Sequence, residues 1–466
     1  MRDSQKAKRF VPVLGALAVA LAVFISLKSR YGGGVPPTVI FVVMDTLRAD
    51  RTSLCGYEHP ITPKLEELVE RGATFACNSH SPSTWTLPSH ATFFTGLGPE
   101  DHQAGSGGNT KGMTWGSVTP LGPRLPTLAE EMAARGYQTL LLSGNPVVGE
   151  RMGLTRGFDH AVVARSYPEM HDHRLADRLK LILQYLALDP DRPLFAFINI
   201  ADPHAPWRGI PKGLGFLPAR PPMMIDPGRA RFESGEMGEE EAEAWLSHLS
   251  DVYDYSVLRA DRSLTQVLEA LEAEGWLDAE YRLVITSDHG EYLGEHRLVE
   301  HGRPYFYEPV TRVPLLYLST EGEVRLPDDV PSIVVHSLAR DGVLPEPLPS
   351  GLASVFRKGS ERSSVAVPCS SSSAALWLRA SKLVANRGEI VRFDLASDPT
   401  EEHPLPAGNH PAAAKLLEYC RALDRAYASR PVPDAELSEA LSAQLKALGY
   451  LRDDDEPPPP QPSKPH

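Results

Sequence analysis

The sequence predicts an α/β protein: a mainly parallel sheet flanked by helices, a smaller C-terminal α+β subdomain, and an N-terminal transmembrane helix. Three observations carry this expectation. Strand-like runs alternate with helical stretches, as they do where helices cross over between parallel strands. The apolar runs Thr38-Val39-Ile40-Phe41-Val42-Val43 and Tyr281-Arg282-Leu283-Val284-Ile285-Thr286 end directly in Met44-Asp45-Thr46-Leu47-Arg48 and Ser287-Asp288-His289-Gly290-Glu291. Residues 10–27 form an apolar stretch without a charge. In an open parallel sheet ligands sit beyond the carboxyl ends of the strands, so Asp45, Asp288 and His289 are expected to converge on one point.

The 466 residues are 42% hydrophobic and contain no fixed-period repeat, enough for one large catalytic domain and a smaller one. Arg2, Lys6, Lys8 and Arg9 precede Phe10–Leu27, and Lys28-Ser29-Arg30-Tyr31 follows it in place of a small-residue cleavage site. This predicts a cytoplasmic basic segment at 1–9, a membrane anchor at 10–28, with an uncleaved anchor favoured over a cleaved signal because so short a stretch suits either, and a Gly/Pro linker at 29–37. The basic amino end places the rest outside the cytoplasm, in the periplasm: a catalytic domain at 38–320, a subdomain at 321–451 and a disordered Pro-rich tail at 452–466. Residues 1–30 hold six Lys/Arg and one Asp, so the remainder carries −18 against −13 for the whole chain. Such acidity argues against nucleic acid as a partner and leaves the N-terminal helix as the contact with the membrane. Cys55, Cys77, Cys369 and Cys420 have no zinc-site spacing; one or two disulfides and four buried thiols are both consistent with them.

The elements follow in order. Pro63–Arg71 reads as a helix with Thr62 as its N-cap and Gly72 at its end. Thr127–Arg135 is a second helix, followed by the strand Gln138–Ser143. Leu194–Ile200 is a buried strand running into Ala201-Asp202-Pro203-His204, the acidic stretch Glu236–Glu274 is helical with a break near Ser250, and Val313–Leu318 is a further strand. Beyond residue 320, Pro-, Ser- and Asp-rich loops surround short strands such as Ala375–Leu378 and Ile390–Phe393.

An acid closing a run of apolar residues costs free energy unless it caps a helix, pairs with a cation or binds a metal. Asp45 and Asp288-His289 repeat that arrangement at two strand ends, which favours ligation. Thr86 in Thr86-Leu87-Pro88-Ser89-His90-Ala91 stands where a helix begins, ordinarily the place of a capping hydroxyl. The same place turns the positive end of the helix toward an oxyanion, and a metal-bound hydroxyl there is a nucleophile aimed at phosphate or sulfate. Asp45, Thr86, Asp288 and His289 suit manganese or zinc better than calcium, which prefers six or more oxygens. A second ion would need Asp202, His204 and His301. His296 in Gly294-Glu295-His296 is a candidate to support the ligand shell, with a surface-loop place favoured over that; His59, His80, His102, His171 and His173 read as surface residues.

The run from Thr86 through Pro88-Ser89 to Thr95-Gly96 resembles the sulfatase signature. Asp45-Thr46-Leu47-Arg48-Ala49-Asp50, Asp202-Pro203-His204-Ala205-Pro206, Ser287-Asp288-His289-Gly290-Glu291, Tyr307-Glu308 and Arg312-Val313-Pro314-Leu315 recur in that family in this order, with Asp398-Pro399-Thr400-Glu401 and Leu448-Gly449-Tyr450-Leu451 as looser matches. The resemblance implies the alkaline phosphatase fold, one divalent ion (calcium or magnesium by family precedent), and an ester of a small molecule, glycan or lipid headgroup as substrate. It also implies that His204 protonates the leaving group and that His301 or Arg303 stands near the substrate-binding lysine of sulfatases.

The departures from the family are specific. Thr86 replaces the Cys or Ser that becomes formylglycine, His90 replaces the signature arginine, and Ser143-Gly144-Asn145-Pro146 lacks the lysine and histidine found after that strand. A threonine is the nucleophile in relatives that transfer phosphoglycerol or phosphoethanolamine. A threonyl phosphate is opened by attack at phosphorus and needs no elimination. The expected activity is hydrolysis or transfer of a phosphate or sulfate ester, phosphate favoured, with His90, His301 and Arg303 balancing charge. The rivals are sulfate-ester hydrolysis without formylglycine and an inactive anion-binding module.

Overall fold

The computed structural model describes residues 36–429, apart from 107–117, 166–168, 170–174, 187, 224, 226–227, 303–304, 357–368, 370–371 and 387–388. The expected anchor, the linker up to residue 35, the Pro-rich tail, Leu448-Gly449-Tyr450-Leu451, Arg303, His171 and His173 therefore lie outside the described residues. Among the described residues no helix is long and apolar enough to cross a membrane.

The main sheet has eight strands: β1 (Thr38–Met44), β2 (Thr74–His80), β3 (Gln138–Ser143), β4 (His160–Val163), β5 (Leu194–Ile200), β6 (Tyr281–Thr286), β7 (Arg312–Ser319) and β8 (Asp329–Pro331). Their spatial order is β8-β2-β7-β6-β1-β5-β3-β4, and only β7 runs against the rest. Side chains alternate across the sheet and both faces are covered. Ile40, Val42 and Met44 of β1 enter one apolar layer, and Val39, Phe41 and Val43 enter the other. Parallel pairing of β1 with β5 and β6 brings three carboxyl ends side by side at the centre of the sheet.

The helices include α1 (Pro63–Glu70), α2 (Thr86–Thr95), α3 (Glu239–Ala273) and α4 (Pro411–Ser429). Two expectations are corrected. The break near Ser250 is absent; α3 runs unbroken over 35 residues, and Ser250 Oγ accepts from Arg51 at 2.8 Å, so that polar side chain is satisfied without ending the helix. Thr62 does not cap α1 with its side chain. Its hydroxyl is bound to Ser53, and Asp261 of α3 accepts from the Lys64 and Leu65 amides instead.

The C-terminal antiparallel sheet runs Leu352–Phe356, Ser372–Leu378, Ser381–Asn386, Glu389–Asp394 and Leu405–Pro406 in that order, with α4 packed on it. The main sheet takes in β8, and the following helix Val335–Asp341 still packs into its core, so the first unit extends beyond residue 320. All four cysteines are paired, Cys55 with Cys77 and Cys369 with Cys420.

A buried ionic cluster joins the two units. Lys382 Nζ pairs with Glu308 at 2.9 Å and with Glu401, and Trp377 Nε1 donates to Glu308 at 2.9 Å. Burial alone would raise the Glu308 carboxyl, but Lys382 holds it down at about 2 against its ordinary 4.5. A depressed carboxylate contributes stability above its unfolded pKa, so this contribution is lost as pH falls from about 4.5 toward 2. Lys382→Met leaves two buried carboxylates without their cation and should cost about 3–5 kcal/mol at pH 8. The penalty should shrink at pH 5, where the stranded carboxylates take up protons. Urea unfolding at the two pH values checks both statements, and an equal cost at each would refute the second.

Candidate active site

Asp45 continues the β1 ladder through its amide, which donates to the Ile200 carbonyl at 2.9 Å. Thr46 then takes a left-handed φ of 60° and turns its N–H onto Asp288 Oδ1 at 3.2 Å. Leu47 N–H donates to Ser287 Oγ at 2.8 Å, and Tyr253 of α3 bridges the Thr46 carbonyl and Arg48 amide. Gly290 lies so close to the Pro309 carbonyl that a Cβ would overlap it, so this turn requires glycine. Arg48 is absorbed by Asp50, Glu295 and the Glu291 carbonyl, and it braces the loop without facing a substrate.

These contacts bring Asp45, Asp288 and His289 together, fully buried, with one potential ligand atom of each within 4.8 Å of the others. The carboxylates are individually constrained. Asp45 Oδ2 accepts from Asn145 Nδ2 (2.8 Å) and Asn199 Nδ2 (3.1 Å), whereas Oδ1 is buried with no hydrogen-bond partner. Asp288 Oδ1 accepts from the Thr46 and His289 amides, whereas Oδ2 lies 3.3 Å from His289 Nε2 without a hydrogen bond. His289 Nδ1–H donates to the Gly290 carbonyl at 2.9 Å, which leaves Nε2 as a lone pair. Burial and the neighbouring Asp45 push the Asp288 carboxyl well above its usual range. Two buried carboxylates, each with one oxygen left over, beside an imidazole lone pair fit a divalent cation.

Thr86 opens α2 and is buried, its Oγ1 3.4 Å from His289 Nε2 and 3.3 Å from Asn145 Nδ2. The other expected histidines border this cluster, and His90 Nδ1 lies 3.5 Å from Asp288 Oδ2. His90, one turn further along α2, is packed among Phe93, Phe94 and Phe197 and hydrogen-bonded to the Thr86 carbonyl at 3.0 Å. Burial pushes its imidazole down to about 4, so it stays neutral and does not supply the expected charge. The His301 ring lies 4.8 Å from that of His204 and 4.4 Å from that of His289, and its Nδ1 bonds Glu291 Oε1 at 2.9 Å. Burial, with His204 alongside, pushes it well below its usual value, so it too is neutral. The His204 Nδ1–H donates to the Ala205 carbonyl at 2.7 Å. Asp202 is turned away and pairs with Arg259 at 2.5 Å, so the loose second set of Asp202, His204 and His301 is not assembled.

His80 and His102, expected at the surface, are buried: His80 pairs with Asp329 and stacks on Trp377, and His102 bonds Thr92. His296 is half-buried, stacked on Tyr307 and bonded to the Thr400 carbonyl. Asn145, Asn199 and Glu291 are the site residues that motif reading missed. Asn199 carried a signal, an amide inside an otherwise apolar strand.

Comparison with known proteins places this geometry. The family model described as sulfatase matches residues 37–336. The chain is 22% identical over 334 residues to an ulvan-active sulfatase of Formosa agariphila, covering 64% of this chain and 61% of that protein. It is 26% identical over 274 residues to the N-sulphoglucosamine sulphohydrolase of Homo sapiens, covering 56% and 51%. The chain thus spans about three fifths or less of the length of these curated relatives. Among solved structures, the phosphonate monoester hydrolase of Agrobacterium radiobacter superposes with a TM-score of 0.60 at 19% identity, covering 84% of this chain and 96% of that one. A structure in complex with D-glucosamine-2-N,6-O-disulfate superposes with a TM-score of 0.58 at 16% identity, covering 86% and 100%. These likenesses show the fold, and the family match over more than half of the sequence shows the lineage: the chain belongs to the sulfatase family.

Proposed function

We propose that the protein is a metal-dependent esterase that transfers a phosphate- or sulfate-type ester group to Thr86 and then to water or an acceptor alcohol, with phosphoesters favoured. The observation that carries this reading is the Thr86 hydroxyl at the start of α2, 3.4 Å from His289 Nε2, which itself lies 3.3 Å from the unpartnered Asp288 Oδ2. Asp45 Oδ1, Asp288 Oδ2, His289 Nε2 and Thr86 Oγ1 would hold the ion. Each carboxylate has a single oxygen to offer, which supports manganese or zinc over calcium. When bound, the ion supplies positive charge that favours the deprotonated hydroxyl and the ester oxygens.

Thr86 Oγ1, its proton lost to solvent, attacks phosphorus; the Oγ1–P bond forms and the bond to the leaving oxygen breaks. His204, carrying a proton on Nε2, gives it to that oxygen, so the alcohol leaves neutral. Water then attacks phosphorus and gives a proton to His204, while the Oγ1–P electron pair returns to Oγ1. A threonine side chain closes this cycle because no elimination is required.

We place the domain outside the cytoplasm, tethered by residues 10–28. The two disulfides support an oxidising compartment, and the basic amino end supports that orientation. A second reading, hydrolysis of sulfate esters by the same site, draws on the relatives named as a sulfatase and a sulphohydrolase. The deciding experiment measures turnover of aryl phosphodiester, phosphate monoester and sulfate by metal-analysed protein, with mass spectrometry of the Thr86 peptide after acid quenching. A phosphorylated Thr86 peptide and phosphodiester turnover above sulfate turnover are expected. The opposite preference with no adduct would establish the second reading.

A further inference from the structure

We propose that Asn145 is a catalytic residue of this site, a neutral donor that stabilises charge on the Thr86 oxygen when the threonyl ester is broken down. The inference rests on Thr86 being the nucleophile.

The orientation of the carboxamide is settled by its neighbours. The Val147 amide donates to Asn145 Oδ1 at 2.9 Å, which assigns the oxygen to the loop and turns Nδ2 inward. A flipped amide would set its oxygen against Asp45 Oδ2 and its NH2 against the Val147 N–H, two repulsive contacts in place of two hydrogen bonds. The loop is held as well. Asn145 N–H donates to Ser143 Oγ at 3.0 Å, and Ser143 Oγ donates to the Asn145 carbonyl at 2.9 Å. Asn145 is fully buried, so no water competes for these groups.

Both Nδ2 hydrogens are committed, one to Asp45 Oδ2 (2.8 Å) and one to Thr86 Oγ1 (3.3 Å). The first bond is shared, because Asn199 Nδ2 donates to the same Asp45 oxygen at 3.1 Å. Asp45 therefore keeps a partner without Asn145. The second bond is directed at the reacting atom. An amide NH2 gives no proton away and takes none, so Asn145 is neither acid nor base; it favours negative charge on Oγ1 over a neutral ester oxygen.

That preference acts unequally on the two half-reactions. During attack the charge is already on Oγ1 and disperses, so a donor there stabilises the starting state at least as much as the transition state. During breakdown water bonds to phosphorus, the Oγ1–P bond breaks and its electron pair returns to Oγ1, where the donor meets developing charge. Losing one such donor costs roughly 10²–10³-fold in kcat.

Asn145→Ala, saturated with metal, should therefore release one equivalent of nitrophenol from bis-p-nitrophenyl phosphate in a burst and then turn over roughly 10²–10³-fold more slowly, with phosphorylated Thr86 accumulating. Bound metal per chain should match the wild type, because Asn199 still holds Asp45. Asn145→Asp keeps the shape and the acceptor for Val147 while removing the donor, and it should accumulate the same adduct even where the alanine variant folds poorly. Wild-type turnover in either folded variant, slowing without adduct, or lost metal as the cause of slowing would each overturn the inference and leave the Thr86 reading intact. Thr86→Ala run alongside tests that reading separately: wild-type activity there would remove both.

Discussion

Thr86→Ala should lose at least ~10⁴-fold in turnover of the best phosphoester, because a nucleophile that acts as a unit with its neighbours carries most of the catalysis. Oγ1 is the atom removed, and it is the one hydroxyl that contacts both His289 and Asn145 among the described hydrogen bonds. Thr86→Ser keeps the oxygen and should retain part of the activity. The methyl group lost would leave a small void in a fully buried setting, so the serine variant should be slower without being inactive. Steady-state rates of the two variants, with their circular dichroism spectra, check this; equal rates for alanine and wild type would mean that water attacks the ester directly.

A second large effect is expected from Asp288→Asn. The substitution preserves volume but puts an amide where one carboxylate oxygen meets the Thr46 and His289 amides and the other faces His289 Nε2. Whichever way the new amide turns, its NH2 faces either backbone N–H donors or the ion. Metal affinity should fall by at least ~100-fold, the upper end of what losing an outer partner of a ligand costs. Titration of manganese or zinc into the protein reads this directly, independently of any substrate. Unchanged affinity would remove Asp288 from the ligand set.

How much of this was legible in the sequence varies residue by residue. Asp45, Asp288 and His289 were visible because an acid at the end of a β run is costly without a partner, and parallel strands carry such ends to one edge. Asn145 was not, because Ser143-Gly144-Asn145-Pro146 reads as an ordinary turn. Its contact with Asp45 depends on β3 lying two strands from β1, and strand order is not a local property. His90 is a different case. Its place in the motif suggested a cation, but charge depends on surroundings, and three phenylalanines from α2 and β5 make it neutral. The Thr62 cap was misread for a similar reason: the competing acceptor, Asp261, comes from almost two hundred residues away.

The central strands that build the site come from opposite ends of the catalytic unit. Thr46, the residue after Asp45, is tied to Asp288 by a hydrogen bond spanning 242 residues, and the two amides on Asp45 arrive from 100 and 154 residues downstream. No shorter stretch of chain contains the site, so a partly folded intermediate has no cradle to offer an ion. Contacts of such long sequence separation form late and slowly, after the loop-closure entropy between them has been overcome. An ion held there therefore cannot guide the chain toward its topology. It acts as a latch on the finished sheet, slowing the return to the unfolded state and leaving the pace of assembly to the chain.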